Sequence, residues 1–190
     1  MVRMLGTTVL ALALAGCAGS APARLDPDSD VRTARAQLQD AAASGPVRLE
    51  LNGLPATSEG QLSRAMVESE AARGIRWLNV RFGAPPEATG QARLLLLFDP
   101  PAVLKPERAC MLDSLPAPVP SPDATALQGV FCQGGAFVAA ADASTAGRST
   151  AEVQRLIWRV TGRMFPDNYQ DTYGFNLFGY RVGFDGSISH

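Results

Sequence analysis

The sequence predicts an α+β fold, a mostly antiparallel sheet of four to six strands with two main helices packed on one face. Apolar residues at alternate positions, as in Val47–Leu51, indicate half-buried strands. Two serine caps, each followed by apolar residues three and four apart, indicate the helices over 58–74 and 149–165. The unbroken apolar run Ala92–Phe98 indicates a strand buried on both faces, in the middle of the sheet.

The N-terminus has the parts of an export signal. Arg3 gives it a positive start, and Leu5–Ala15 is an apolar stretch too short to cross a bilayer, which takes about 20 residues. The tetrapeptide Leu14–Cys17, LAGC, resembles the lipobox of bacterial lipoproteins. The resemblance implies cleavage after Gly16, a diacylglyceryl thioether on Cys17, and an acyl chain such as palmitate on its new amino group. The alternative is an ordinary secretory signal with a chance cysteine.

We predict three parts in the chain. Residues 1–16 are a lipoprotein signal peptide, residues 17–46 hold the lipidated cysteine, a flexible tether and a short helix, and residues 47–190 form a single α+β domain. The tether is expected over 18–29, where small residues and prolines show no apolar period. Asp30 then caps the short helix, whose largely alanine face offers little area for docking. Its apolar positions are Val31, Ala34, Leu38 and Ala41.

The predicted domain opens with a strand followed by a helix. After Val47–Leu51, an S-x-x-Q capping box of Ser58 and Gln61 places the start of the helix that runs to residue 74. Apolar residues then alternate over Ile75–Phe82, which predicts a second strand.

A proline-rich passage follows Phe98 and continues to Thr125. Its prolines remove backbone donors and favour extended conformations. Loops of this length inside a small domain are uncommon. Two interpretations stay open, a solvated excursion held by its cysteine and a peptide-like recognition segment.

The second half of the domain contains a hairpin and the strongest helix signal. Leu127–Cys132 and Ala136–Ala141 flank a Gly-rich turn, which predicts a β-hairpin with the cysteine at its tip. A capping box of Ser149 and Glu152 begins the helix over 149–165. Arginines four residues apart lie on another face of this helix, and they are either its solvated side or a contact for anionic lipid or peptidoglycan. They are Arg155, Arg159 and Arg163.

The chain has three cysteines, and lipid on Cys17 leaves Cys110 and Cys132 as an even pair. An oxidising compartment favours a disulfide between them, which would tie the proline-rich passage to the hairpin. The alternative is two buried reduced thiols that pack as small apolar side chains.

Aromatic residues are concentrated from Phe165 onward. A final strand or short hairpin is one interpretation, because Tyr180, Val182 and Phe184 alternate. The other is an exposed surface for a protein partner, since aromatics are enriched at binding hot spots. The candidate partner surface consists of Tyr173, Phe175, Phe178 and Tyr180.

Several functional classes are disfavoured. The formal net charge of −1 gives nucleic acid nothing to attract it. The single histidine, His190, is the last residue, where it cannot orient a catalytic base, and motifs for nucleotide or zinc binding are missing from the sequence. We therefore predict no catalytic residues, no cofactor and no metal site. One enzymatic alternative is a carboxylate-dependent hydrolase of cell-wall material, using Asp142 with Asp167 or Asp171.

From Val47 onward, the element order, the D-P-P end of the apolar strand, the F-C-Q-G-G turn and the W-R-V-T-G-R-M-F-P helix end resemble small, uncharacterised envelope lipoproteins of proteobacteria. That resemblance implies membrane anchoring at Cys17 and no particular activity. Ala18 stands where an aspartate would resemble an inner-membrane retention signal, so we expect the outer membrane, on its periplasmic side. We expect a non-catalytic binding, accessory or scaffold protein with an unknown envelope partner.

Overall fold

A six-stranded sheet organises the part of the chain that the structure describes. The structure is a computed structural model that describes residues 20–84, 90–121 and 124–167, and the backbone of three short strands beyond them. The strands are β1 (Arg24–Leu25), β2 (Val47–Leu51), β3 (Ala56–Thr57), β4 (Gly60–Gln61), β5 (Phe82–Gly83), β6 (Ala92–Phe98), β7 (Thr125–Gln133), β8 (Ala136–Thr145), β9 (Asn176–Leu177), β10 (Tyr180–Val182) and β11 (Ile188–Ser189). The helices are α1 (Val31–Ser44), α2 (Arg64–Gly74), α3 (Pro106–Cys110) and α4 (Thr150–Met164).

The main sheet has the strand order β1-β8-β7-β6-β2-β5. The pairings β1–β8, β8–β7 and β7–β6 are antiparallel, whereas β2 is parallel to both β6 and β5. The predicted run Ala92–Phe98 is β6, which pairs with β7 from Ala92 opposite Gln133 to Phe98 opposite Leu127. The sheet is therefore mixed and mostly antiparallel, with the leucine-rich strand β6 in its interior as predicted.

Helices α1, α2 and α4 cover one face of the sheet. The predicted apolar positions of α4 are fully buried, and its capping box of Ser149 and Glu152 is formed. Helix α1 docks on the same face despite its small side chains, because Val31 is buried and Ala34 and Leu38 belong to the shared core. The predicted α+β class with its helices on one face is confirmed, and α1 joins the two main helices there.

Helix α2 starts later than predicted. The S-x-x-Q sequence forms no cap, because residues 56–61 make a small hairpin of β3 and β4, in which Thr57 Oγ1 donates to the Gly60 carbonyl at 2.6 Å. The N-cap is Ser63, whose hydroxyl accepts from the Met66 amide. The predicted start at residue 58 was wrong. The residues that could form the capping box form the turn of a hairpin instead.

The predicted strand Ile75–Phe82 is also wrong. Only Phe82–Gly83 pairs with the sheet, although Ile75 and Val80 are buried. Trp77 lies inside this segment, and its Nε1 donates to the Phe165 carbonyl at 3.1 Å, beyond the end of α4. The apolar residues of this segment are buried because an irregular stretch of chain packs against the helix layer. Their alternation therefore does not come from a strand.

The predicted tether is partly inside the fold. Arg24 and Leu25 form the edge strand β1 opposite Asp142 and Ala141 of β8. The Asp26 amide donates to the Ala140 carbonyl at 2.9 Å and extends this attachment. The packed structure thus begins before the predicted domain start at residue 47.

The backbone of the C-terminal region supplies a separate three-stranded sheet of order β11-β10-β9. Tyr180 opens β10, so the expectation of a strand there is met by the backbone. Within the described ranges, no helix combines the length and the apolar character needed to pass through a membrane.

Candidate functional site

A disulfide joins α3 to the face of the sheet opposite the helix layer. The Sγ atoms of Cys110, at the end of α3, and Cys132, in β7, are bonded at 2.05 Å, with the Cα atoms 5.7 Å apart. Both cysteines are almost fully buried. The structure therefore contains the predicted pair, and it holds the proline-rich passage against the sheet.

The passage packs over a second apolar cluster. Leu95, Leu97 and Val130 point to this side of the sheet, and Leu104 and Leu115 of the passage pack on them. The solvated-excursion interpretation is therefore wrong for these two leucines, which are partly buried. Other apolar side chains of the passage face solvent, namely Val103, Met111 and Val119, which are 88%, 69% and 64% exposed.

A polar recess lies beside the disulfide. Arg48 of β2 and Arg93 of β6 are direct neighbours across the parallel pair, where two like charges alone would be unfavourable. The Glu50 carboxylate separates them: its Oε1 is 2.6 Å from Arg48 Nε, and both of its oxygens are 3.3 Å from Arg93 Nη1. Arg93 Nη2 also donates to the Cys110 carbonyl. The arginines therefore face a recess shaped by α3.

We call this recess the guanidinium cleft. Its volume is about 560 Å³. The side chains of Arg93 and Glu50 are 15% and 17% exposed, and that of Arg48 is 38% exposed. The two guanidinium groups can donate hydrogen bonds to an acceptor-rich group, beside the carboxylates of Glu50 between them and Asp113 in the lining. It is lined by Arg48, Arg93, Cys110, Met111, Leu112, Asp113, Gly134 and Gly135.

Sequence reasoning missed this cleft. Arg48 and Glu50 are simply the polar side of an alternating strand, and Arg93 is a single charge next to an apolar run. Only the parallel register of β2 and β6 brings the three together. Strand alternation could have placed Arg48 and Glu50 on one face, but the pairing partner of β2 cannot be read from it.

A second groove lies where the chain enters the domain, and we call it the entry groove. Ala21 and Pro22 lie beside the turn after β6, and the groove has a volume of about 450 Å³. Arg159 of α4 donates from Nη1 to the Ala21 carbonyl at 3.4 Å. The other residues that line the entry groove are Arg24, Pro100, Pro101, Ala102, Leu104, Ala126, Leu127, Gln128, Asp142, Ala143 and Ser144.

The predicted arginine stripe of α4 is divided by the fold. Arg155 and Arg163 are exposed, whereas Arg159 is half-buried and contacts the backbone at residue 21. The stripe is therefore not one continuous solvated face, because its middle member helps to hold the N-terminal segment.

Both tryptophans lie near the C-terminal end of α4, each next to an arginine. The Arg35 guanidinium is 3.8 Å from the centre of the Trp77 ring, and that of Arg76 is 5.2 Å from the Trp158 ring. Burial lowers the pKa of Arg35, and nearby Asp167 opposes that shift. Arg35 also donates to the Pro166 carbonyl. These contacts fasten α1 to the end of α4 and have a structural role.

Three carboxylates lie close together near the start of the described chain and α3. Those of Asp26, Asp28 and Glu107 have oxygens within 4.8 Å of one another. Asp30, which the sequence groups with the first two, instead caps α1 by accepting from the Thr33 amide at 2.9 Å. A cluster of exposed acids does not by itself define a metal site, and the expectation of no metal stays a prediction.

The carboxylates of the hydrolase alternative are not gathered in one cavity. Asp142 lines the entry groove, whereas Asp167 lines a cleft at the end of α4 and lies 3.9 Å from Arg76 Nε. Asp171 lies outside the described residues. The two described members therefore share no pocket.

The carboxyl groups with lowered pKa values all serve helix ends. Hydrogen bonds from Thr33 lower the pKa of Asp30, those from Thr150 lower the pKa of Glu59, and those from Ser149 lower the pKa of Glu152. Each carboxylate accepts at the first turn of α1 or α4, where backbone N–H groups lack helical partners. The causes of these shifts are structural.

Several predicted residues lie outside the described part of the chain. Cys17, the predicted lipid site, is one of them. Tyr173, Phe175 and Phe178 of the candidate partner surface are others, and Tyr180 is described only as backbone. Lipidation and the aromatic partner surface stay predictions.

No family model matches the chain, and no curated protein matches it. A solved structure of a methionine variant of the PelC dodecamer from Paraburkholderia phytofirmans has 15% sequence identity and a TM-score of 0.41, covering 76% of this chain and 99% of that chain. A second PelC dodecamer structure from the same organism has 13% identity and a TM-score of 0.38, covering 75% and 92%. Similarity at this level carries no functional conclusion.

Proposed function

We propose that this chain is a lipoprotein of the bacterial cell envelope, anchored through Cys17 on the periplasmic side of the outer membrane, which acts by binding an envelope protein. The disulfide between Cys110 and Cys132 carries the proposal. Cys17 is the remaining one of the three cysteines, and a disulfide suits an oxidising compartment such as the periplasm. The export signal and the LAGC sequence supply the address.

Binding without catalysis is supported by how the ionisable groups are used. Perturbed pKa values often mark catalytic sites. Here the carboxyl groups whose pKa is lowered accept hydrogen bonds at helix starts and do not line a cavity. The hydrolase alternative has less support, because Asp142 and Asp167 line different clefts. A carboxylate pair must face one substrate bond to act on it.

The guanidinium cleft is the described surface that best fits a recognition role. Its arginines are positioned by the sheet, and its rim is set by α3 through the disulfide. The exposed Met111 stands on that rim and offers an apolar contact beside the charged groups. Interfaces commonly combine an arginine with such an apolar neighbour.

Crosslinking in native membranes tests the partner. A photo-crosslinking residue replaces Met111 at the cleft or Tyr180 in the aromatic tail, with Arg73 on the outer side of α2 as the matched control, its side chain 74% exposed. We expect one envelope protein to be captured from at least one of the first two positions and not from residue 73. Equal capture from all three positions, or none, would contradict a specific partner.

Mass spectrometry tests the anchor separately. The mature protein purified from membranes should begin at Cys17 and carry acyl mass. A soluble form that begins elsewhere without acyl mass would refute the anchor. Turnover of a cell-wall fragment that stops when Asp142 is replaced would reverse the choice between binding and hydrolysis.

A further inference from the structure

The structure fixes the place where the chain leaves the domain towards Cys17. Arg24 and Leu25 pair with β8, and the Ala21 carbonyl accepts from Arg159. Residues 18–20 separate Ala21 from Cys17. An extended chain gains at most about 3.6 Å per residue, so the Cα atom of Cys17 lies within about 14 Å of that of Ala21. The predicted tether over 18–29 is therefore attached to the domain from Ala21 onward.

An apolar turn borders this exit. Residues 100–104, Pro-Pro-Ala-Val-Leu, carry no charged side chain, and several of them line the entry groove with Pro22. Val103 is 88% exposed, more than the other exposed large apolar residues of the described chain. The two prolines have no backbone N–H to desolvate, which lowers the cost of moving this turn out of water.

We propose that this exit surface, made of Pro22 and residues 100–104, rests on the bilayer that holds the lipid of Cys17, with Val103 inserted at the level of the headgroups. The inference rests on the lipid anchor of the proposed function. The occupant is a phospholipid bilayer, because a lipid on Cys17 must enter it within about 14 Å of Ala21. A domain tied so closely cannot turn this surface far from the membrane.

The contact is apolar more than electrostatic. Arg24 and Lys105 are exposed near the turn, but so is Asp142 of the entry groove. The acidic side chains of Asp26, Asp28 and Glu107 are clustered, and Glu107 is two residues from Lys105. Charges of both signs give no net attraction to anionic lipid, so binding should depend weakly on salt.

Met111 provides a matched control on the same passage. It is apolar and 69% exposed, and it follows Cys110, which is bonded to Cys132 near the hairpin end of β7. Ala126, at the start of β7, lines the entry groove. At about 3.3 Å per residue, these two ends of the strand are about 20 Å apart. Met111 should therefore stay in water when Val103 is inserted.

The test uses the full acylated protein in vesicles of phosphatidylethanolamine and phosphatidylglycerol. An environment-sensitive fluorophore is attached to Val103→Cys or to Met111→Cys. The thioether on Cys17 and the buried disulfide leave no other thiol to label in the acylated protein. We expect a blue-shifted emission at position 103, with quenching by spin-labelled lipids at a depth of about 5–10 Å below the surface. Position 111 should report water in both neutral and anionic vesicles.

The intact mass of each sample separates the two proposals. Acylated protein whose position 103 stays as wet as position 111 would overturn the docking surface and leave the anchor intact. Protein without acyl mass would overturn the anchor and the docking surface with it. Stronger quenching at position 111 would place the opposite end of the domain on the membrane and refute the inference.

Discussion

Arg148 donates from Nη2 to Asp99 Oδ2 at 2.7 Å, joining the end of β6 to the residue before the cap of α4. Asp99 is 8% exposed and has a φ of 45°, a left-handed conformation that aspartate adopts more readily than most residues. Its Oδ1 accepts from the Ala126 amide at 2.8 Å. Arg148 Nε donates to the Ala124 carbonyl at 3.1 Å. This ion pair therefore holds three segments together at one end of the sheet.

Replacing Asp99 should be strongly destabilising. In Asp99→Ala, the Arg148 guanidinium and the Ala126 amide both lose their partner while they stay largely covered. Removing one partner of such a pair costs about 3–5 kcal/mol in the free energy of unfolding. Asp99→Asn keeps an acceptor for Ala126 and should lose less. Denaturant unfolding measures both variants.

A surface pair gives the control for Asp99. Arg73 Nη1 lies 3.6 Å from Glu70 Oε2, and the arginine side chain is 74% exposed. Arg73→Ala should change stability by about 0.5 kcal/mol or less. A similar loss for Arg73→Ala and Asp99→Ala would contradict the role of the buried pair.

Removal of the disulfide should loosen the proline-rich passage first. The bond closes a chain separation of 22 residues, for which loop entropy predicts about 3 kcal/mol of stabilisation. The variant with Cys110→Ala and Cys132→Ala avoids burying new hydroxyl groups. It should lose about that amount, and hydrogen exchange should rise most over residues 100–121.

Chemical reduction of the parent protein checks the disulfide result. Reduced parent and the double alanine variant should unfold at similar denaturant concentrations, because both lack the same cross-link. A variant that melts like the oxidised parent would show that packing of Leu104 and Leu115 holds the passage without the bond.

A methyl group at the crossing of α2 and α4 should not fit. A Cβ at Gly74 would lie 1.9 Å from Thr161 Oγ1 and 2.7 Å from the Trp158 carbonyl oxygen. Neither atom is the end of a long side chain, so the helices must move apart. Gly74→Ala should cost about 1–3 kcal/mol, measured by thermal or denaturant unfolding.

Gly53 is the matched control for this substitution. A Cβ there would meet Pro118 Cγ at 3.7 Å, which is an ordinary contact. Gly53→Ala should change stability by less than about 1 kcal/mol. Tolerance of alanine at both positions would contradict the tight crossing.

Acid should weaken the start of α4. The hydrogen bonds from Thr150 lower the pKa of Glu59 in the folded state, so folding favours the ionised form. This contribution is complete above the ordinary glutamate value of about 4.5 and is lost as the pH falls through the lower folded value. Glu59→Gln should therefore lower the melting temperature at about pH 7 and have a smaller effect near pH 3.

A second carboxylate at the start of α4, and the pH dependence of the Glu59 variant, check the acid prediction. Glu152, in the capping box of the same helix, has a pKa lowered by Ser149 and should follow the same pH dependence. A Glu59→Gln variant that destabilises the protein equally at both pH values would show that the amide disturbs packing and that the charge at Glu59 is unimportant.

Local sequence patterns predicted correctly those elements whose pattern fits only one kind of secondary structure. The apolar run of β6, the hairpin of β7 and β8, and the capped amphipathic helix α4 are present as predicted. The disulfide was predictable as well, because it followed from cysteine parity and compartment. These features need no knowledge of which distant segment lies alongside.

Other features depended on long-range pairing. Ser58 could cap a helix or enter a turn, and it lies in the turn of the small hairpin of β3 and β4. Ile75 and Val80 are buried by the helix layer without a strand around them. Arg48 and Arg93 line the same cleft only because the parallel register of β2 and β6 places them side by side. Sequence periodicity reports burial of a segment but not its neighbour.

Strand β1 also has a consequence for the order in which the chain folds. Ser29 exchanges hydrogen bonds with Ala140, a partner 111 positions away. Contacts of such separation form late, because the loop between them must close first. Strand β1 therefore stays unpaired until the chain of β8 is available to it. On the proposed lipid anchor, this delay would leave residues 24–29 free of the sheet during lipidation.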